Sequence, residues 1–245
     1  MSRSPSVLCI IPARYASTRL PGKPLVSVGG LPLIMWAYNR ARESGVFSQV
    51  CVATDDTRIL NAVRAHGGDS VMTDPTHLSG TDRCCEVARS RMCDFVVNLQ
   101  GDEPDVPVDL LRLFGTTVCT IDDSSLLTCA TDATIRDKSD PNTVKVVLNV
   151  RNEALYFSRA GIPFDRDGKG GKVLKHTGIY GFSRAGLLQF CGLPPGELER
   201  CECLEQLRAL EHGMRIKCLV TQYATRGIDT PEDLREFRAS VGDVS

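Results

Sequence analysis

The run Val7-Leu8-Cys9-Ile10-Ile11 constrains this chain most. Five consecutive apolar residues leave no polar face, so a strand here must be covered on both sides. That is the situation of a strand inside a parallel sheet with helices on each face. Pro12 lacks an N–H and is read as the end of the strand. Arg14, Arg19 and Lys23 follow, with Gly22 between Pro21 and Lys23. Three cations on a loop leaving the carboxyl end of a buried strand can receive a polyanion, because ligands of open α/β sheets bind at that edge. The same charges also suit a solvated loop. The loop is not a Walker A motif: Ser17 stands where the first glycine would fall, and Pro24 follows Lys23 where Ser or Thr is needed.

Strand and helix patterns then alternate, which predicts βαβ units and a parallel sheet. Pro32 opens a helix over Leu33–Ser44, and Gly45 suits its C-terminal cap. Strands are expected at 50–53, 70–73 and 95–99. A helix face is marked by Ile59, Leu60 and Val63, and another helix runs to about Ser90 behind the polar loop 74–81. From Leu126 the texture changes. Residues 126–131, 144–150 and 176–182 read as longer strands with polar alternation, and 165–172 as a mobile glycine-rich loop. These features predict antiparallel strands and a second, smaller lobe. A helix is expected over 197–212 and a strand over 216–220. Thr230-Pro231-Glu232-Asp233 opens a last helix with an N-cap, a first-turn proline and a capping-box partner. The expected lobes are 1–130 with 215–245, and 131–214.

Composition excludes several classes. Lys and Arg total 29 against 30 for Asp and Glu, a balance that argues against a nucleic-acid partner. The opening MSRSPS carries no apolar signal segment, and no stretch is long and apolar enough for membrane insertion. The 11 cysteines include no C-x-x-C pair, and the four histidines are scattered, which disfavours a thiolate metal site. Cys9, Cys51, Cys129 and Cys218 sit in strand patterns as small hydrophobes. Reduced thiols and a cytoplasmic location are expected.

Candidate chemistry gathers on loops that follow strands. Asp102, in Gln100-Gly101-Asp102-Glu103-Pro104, and Asp229 are the best carboxylate pair for Mg²⁺, which takes one or two carboxylates together with phosphates and water. Asp102 also suits a simple turn, and Asp229 a helix terminus. Residues 77–83 carry hydroxyls and free N–H groups that could hold a base or phosphate, or merely cap a helix. His176 and Tyr180, four apart, share one face of a strand. Tyr156 and Arg159 precede the glycine-rich loop, and Glu205 and Gln206 lie within a helix.

The segments IIPARYASTRLPGKPL, VATDD, SGTDR, NLQGDEP, NTVKVV, ALYFSRAGIPFDRD, HTGIYGF, LEQLR and GIDTPEDL occur here in one order. Spanning nearly the whole chain, that series resembles the 3-deoxy-manno-octulosonate cytidylyltransferase family, the CMP-Kdo synthetases of lipopolysaccharide assembly. The related CMP-sialate synthetases share the general fold but differ in the basic loop. The resemblance implies an α/β fold with a mixed, mainly parallel central sheet flanked by helices, Rossmann-like, with a smaller sugar-binding and dimerisation lobe. It implies that CTP and Kdo give CMP-Kdo and pyrophosphate with Mg²⁺, in a cytoplasmic homodimer. On this likeness Arg14 and Lys23 grip the triphosphate, and Ser79, Gly80 and Arg83 lie along the nucleotide. Gln100, Arg159, His176, Tyr180, Glu205 and Gln206 line the sugar-acid site. Asp102 and Asp229 hold the metal and complete the catalytic set with Arg14 and Lys23. Arg19 is the weaker candidate of the three loop cations, since bracing the loop would account for it equally well. Cationic side chains at the phosphates neutralise developing charge, and an Arg such as Arg159 suits a sugar carboxylate through its bidentate fork. The stretch 200–203 and the short loop 165–176 depart from the family pattern. Two other classes fit a similar sheet: a glycosyltransferase consuming a nucleotide-sugar, and a non-catalytic nucleotide binder, which has less need of the carboxylate pair.

Overall fold

A computed structural model describes residues 4–16, 20–168 and 170–243; Arg19 lies outside them. The chain forms two compact units, Met1–Cys119 with Thr225–Ser245, and Thr120–Ala224.

The first unit begins with β1 (Val7–Ala13), a 3-10 turn at Lys23–Leu25, and the short strands β2 (Ser27–Val28) and β3 (Leu31–Pro32). There follow α1 (Leu33–Ser44), β4 (Gln49–Thr54), α2 (Thr57–Ala65), β5 (Ser70–Met72), α3 (Gly80–Ser90), β6 (Phe95–Asn98) and α4 (Val108–Val118). Strands β6, β1, β4 and β5 lie side by side, all parallel. Val7 to Ile11 are buried throughout, with α1 and α3 both packed on β1. The five-residue apolar run is therefore the covered central strand its composition demands.

Pro12 does not end β1, which runs on to Ala13 opposite Thr54. The reason lies in the alternation of the backbone. The Ile10 carbonyl accepts from Leu99 N–H on the β6 side, and Pro12 faces that same side. Pairing with β6 has already stopped at Ile10 opposite Asn98, so the missing N–H falls where no ladder bond is required.

Helix boundaries follow local chemistry. Gly45, at φ 68°, closes α1. Asp56 caps α2 by accepting from Arg58 N–H. Ser79 and Asp82 form a reciprocal capping box at α3.

The second unit holds β7 (Ser125–Asp132), α5 (Ile135–Ser139), β8 (Lys145–Leu148), β9 (Ala154–Ser158), β10 (Leu174–Ser183), α6 (Arg184–Cys191), α7 (Glu197–Glu202), α8 (Gln206–Glu211) and β11 (Arg215–Val220). Strand β10 runs antiparallel to β7 and β8, and β8 antiparallel to β9. Strand β11 is parallel to β7 along its whole length, so 215–220 groups with this unit, whereas the sequence reading places it with the first. Pairing is parallel among β6, β1, β4 and β5 of the first unit and mostly antiparallel in the second, with helices alongside the strands of each, which agrees with the mixed α/β fold expected. The helix expected over 197–212 is two helices. Cys203 takes a left-handed conformation, φ 52° and ψ 49°, which closes α7 before α8 begins. Strand β9 has no counterpart in the sequence reading.

The chain ends with α9 (Pro231–Ser240) in the first unit, capped by Thr230 and Asp233 with Pro231 in the first turn. Ile228 and Phe237 are buried with Val28 and Leu33, and the Trp36 ring meets Phe237 edge-on at 5.3 Å. Each such side chain contributes roughly 1.5–3 kcal/mol on burial. This small core fixes Ile228 and thereby the position of Asp229.

None of the 11 cysteines is in a disulfide, and Cys9, Cys51, Cys129 and Cys218 are buried as expected. Burial pushes the Cys51 and Cys218 thiols up to about 12. Among the described residues no helix is long and apolar enough to cross a membrane.

Candidate active site

A cleft of about 370 Å³ opens in the first unit at the carboxyl end of β1, lined by Pro12, Arg14, Lys23, Gly80, Gln100 and Asp102, among others. Three local devices build it. Gly22, at φ 68°, turns the chain into the 3-10 turn that presents Lys23; a Cβ there would both strain the backbone and meet the Tyr15 ring at 3.3 Å. Gly101 lets the strand-end loop press against α1, since a Cβ would stand 2.6 Å from Ile34 Cδ1. Gly80 lets the first turn of α3 close on Pro12, where a Cβ would lie 3.0 Å from the ring. The positive end of α3 thus faces the cleft, a disposition that favours an anion.

Lys23 is the hub. Its Nζ lies 2.9 Å from Asp102 Oδ2 and 3.1 Å from Asp229 Oδ1, and it donates to the Ile228 carbonyl at 2.8 Å. The Ile228 N–H donates in turn to the Asp102 carbonyl at 2.8 Å. Two carboxylates far apart in sequence therefore converge on one cationic centre. Arg14 stands exposed at the mouth of the cleft and donates to the Leu78 carbonyl at 2.6 Å.

Ser79 acts as the cap of α3, with its Oγ exchanging hydrogen bonds with Asp82. Arg83 differs from the expectation. Its side chain is wholly buried, bonded to Thr73 Oγ1 and, at 2.9 Å, to Asp55 Oδ2. The guanidinium has no exposed surface and is held by these two partners. It ties α3 to the ends of β4 and β5, and so holds the loop 74–79 in place. Glu86 braces the same loop through the Asp74 N–H at 2.9 Å and His77 Nε2 at 2.5 Å.

The other expected sugar-site residues belong to the second unit. His176 and Tyr180 do share a face of β10, with ring centroids 5.5 Å apart. The Tyr180 hydroxyl donates to Gln206 Oε1 at 3.1 Å, and Glu205 immediately precedes α8. The His176 ring lies edge-on to Phe157, and its Nε2 is 2.8 Å from Thr128 Oγ1. Burial pushes the imidazole down to about 3, so it is neutral near neutral pH. Arg159 spends its fork on backbone: it donates to the carbonyls of Glu202 at 2.8 Å, Pro141 at 3.1 Å and Cys203 at 3.4 Å.

Several supporting residues were not legible in sequence. Glu202 accepts from the Ser158 hydroxyl at 2.6 Å and from Arg159 N–H at 2.9 Å. It lies in the stretch that departs from the family pattern. Lys145 is wholly buried and donates to the carbonyls of Asp140, Thr143 and Arg159. No quoted segment contains Glu202; Lys145 is the Lys of NTVKVV, but a Lys in a strand pattern gives no sign of the three carbonyls it binds.

A parallel α/β unit with cations, a helix N-terminus and paired carboxylates at one strand-end cleft suits a phosphate-bearing ligand such as a nucleotide with a divalent metal. A family model described as cytidylyltransferase matches residues 8–216. A 3-deoxy-manno-octulosonate cytidylyltransferase of Syntrophobacter fumaroxidans is 47% identical over 234 residues, covering 93% of this chain and 94% of the relative. One of Thermodesulfovibrio yellowstonii is 44% identical over 241 residues, covering 93% and 94%. Among solved structures, a CMP:2-keto-3-deoxy-manno-octonic acid synthetase complexed with CTP superposes with a TM-score of 0.92 at 40% identity, covering 97% of this chain and 98% of that one. A nucleotidyl transferase from Methanothermobacter, at 15% identity and a TM-score of 0.64, shares the fold. The chain belongs to the cytidylyltransferase family, among the 3-deoxy-manno-octulosonate cytidylyltransferases.

Proposed function

We propose that this protein transfers the cytidylyl group of CTP to Kdo, giving CMP-Kdo and pyrophosphate for lipopolysaccharide assembly. The observation that carries the reading is the convergence of Lys23, Asp102 and Asp229 at the β1 cleft. It stands in a chain whose relatives are named for this activity.

The donor set fits Mg²⁺. Two hard carboxylates already surround one cation, the Lys23 ammonium, and Mg²⁺ prefers one or two carboxylates, with phosphates and water filling its octahedron. Among the described residues no cluster of three or more His, Cys, Asp or Glu forms a closed cage, which suits a metal that shares its ligands with substrate. Asp102 and Asp229 would hold it, and when bound it supplies charge stabilisation at the phosphates. Arg14 and Lys23 bind and neutralise phosphate oxygens, most strongly as charge develops on the leaving pyrophosphate. The N–H groups opening α3 receive a further oxygen. Gln100 hydrogen-bonds the sugar. In the second unit Tyr180, Gln206 and Glu205 bind sugar hydroxyls, and neutral His176 acts as a hydrogen-bonding wall. Arg159 reaches the sugar carboxylate only by exchanging a backbone carbonyl for it. Positioning both substrates in line lowers the entropic part of the barrier.

The reading includes a homodimer and a cytoplasmic location. Both are supported by the family likeness, and the second also by cysteines that form no disulfide. The test is pyrophosphate release from CTP and Kdo with Mg²⁺, followed together with CMP-Kdo. Asp102→Asn should abolish turnover with an unchanged circular dichroism spectrum. Near-normal turnover in that variant sinks the assignment of Asp102, and absence of pyrophosphate in the parent protein sinks the reaction.

A further inference from the structure

We infer that Lys23 is a resident cation that occupies the carboxylate pair until substrate arrives, so that a divalent metal enters with the nucleotide and not ahead of it. The inference rests on the reading of Asp102 and Asp229 given above and adds an order of assembly to it.

An ammonium carries three N–H donors. All three of Lys23's are engaged, by Asp102 Oδ2, Asp229 Oδ1 and the Ile228 carbonyl, at 2.8–3.1 Å. The Lys23 side chain is 13% exposed, against 34% and 43% for the two aspartates. The cation therefore lies beneath the pair, largely stripped of water, while the carboxylates still face solvent. The partners are stiffly mounted. Ile228 is anchored in the core, and its N–H bonds the backbone of Asp102. Removing the ammonium would leave two like charges held together, which is costly wherever water screens them incompletely.

A hydrated divalent cation arriving alone meets this arrangement at a disadvantage. It must shed tightly held water and displace an ammonium that has nowhere equivalent to go. A triphosphate changes the balance. It brings anionic oxygens into the same cleft and gives Lys23, on its flexible four-carbon stem, a new partner. The carboxylates can then pass from one cation to another within the same cleft.

The test uses Mn²⁺ as the probe and the full chain, with free Mn²⁺ followed by electron paramagnetic resonance and thermal unfolding measured in parallel. The parent protein should bind Mn²⁺ weakly alone and tightly with a non-hydrolysable CTP analogue. Lys23→Met and Lys23→Gln should bind Mn²⁺ alone at least about tenfold more tightly than the parent does. Mn²⁺ alone should then raise the melting temperature of both variants but not of the parent. Adding Asp102→Asn should erase these gains. Two variants are used so that poor folding of either leaves the comparison intact. If both bind Mn²⁺ alone no better than the parent, or if the parent binds it equally well with and without nucleotide, the resident-cation role is overturned while the site stands. If the parent with nucleotide shows no Asp102-dependent Mn²⁺ binding, the metal site itself is overturned.

Discussion

Replacing Glu103 by Gln should stabilise the protein above neutral pH and leave it nearly unchanged near pH 4.5. Glu103 follows Asp102, and its Oε2 is buried with no hydrogen-bond partner among the described residues. Burial, with the neighbouring Asp102 charge adding to it and a Thr225 hydrogen bond opposing, raises the carboxyl from an ordinary 4.5 to about 7. The folded protein thus holds the proton more tightly than the unfolded chain does. The stabilisation this provides is complete below about 4.5 and is lost as pH rises through about 7. At roughly 1.4 kcal/mol per pH unit, the gap is worth about 3 kcal/mol at full ionisation. Gln keeps the shape and cannot ionise, so the difference between variant and parent should grow from near zero to about 3 kcal/mol between about pH 4.5 and 8.5. In a chain of this size that corresponds to roughly 6–12 °C in melting temperature. Differential scanning calorimetry at stepped pH, with a chelator present, reads it directly. A variant-minus-parent difference that stays constant across the range would refute the reasoning, because only a proton taken up on folding makes that difference depend on pH.

Two further outcomes follow from the second unit. The His176 ring should show no titration by NMR between about pH 8 and 5, because burial holds it down to about 3; a midpoint near 6.5 would contradict this. Its contribution to stability is accordingly present above about 6.5 and is lost as pH falls toward about 3. Cys203→Gly should raise stability by about 1 kcal/mol, since the residue is exposed and its φ of 52° costs a side chain what glycine avoids. Loss of stability in urea unfolding would refute that assignment.

Much of the first unit was legible because its signals are local. The apolar run at β1, the Gly45 cap and the Thr230-Pro231-Asp233 cap each depend on a few neighbouring residues, and each stands where expected. The second unit was less legible. The break at Cys203 requires a left-handed residue that is not glycine. The pairing of β9 with β8 and of β11 with β7 is decided by partners distant in sequence.

The site divides the same way. The sequence alone determined which residue types line the β1 edge, since Arg14, Lys23, Gly80, Gln100 and Asp102 sit on loops that leave strands or open a helix, and that order implies one edge. The tertiary structure decided what those residues do to one another. It buried Arg83 as a brace between Asp55 and Thr73, committed Arg159 to backbone carbonyls, and set Lys23 between Asp102 and Asp229. The physical reason is that a charged side chain's role depends on which opposite charges and carbonyls the fold brings within about 3 Å of it, and on how much water remains there. Neither is written in the spacing of residues along the chain.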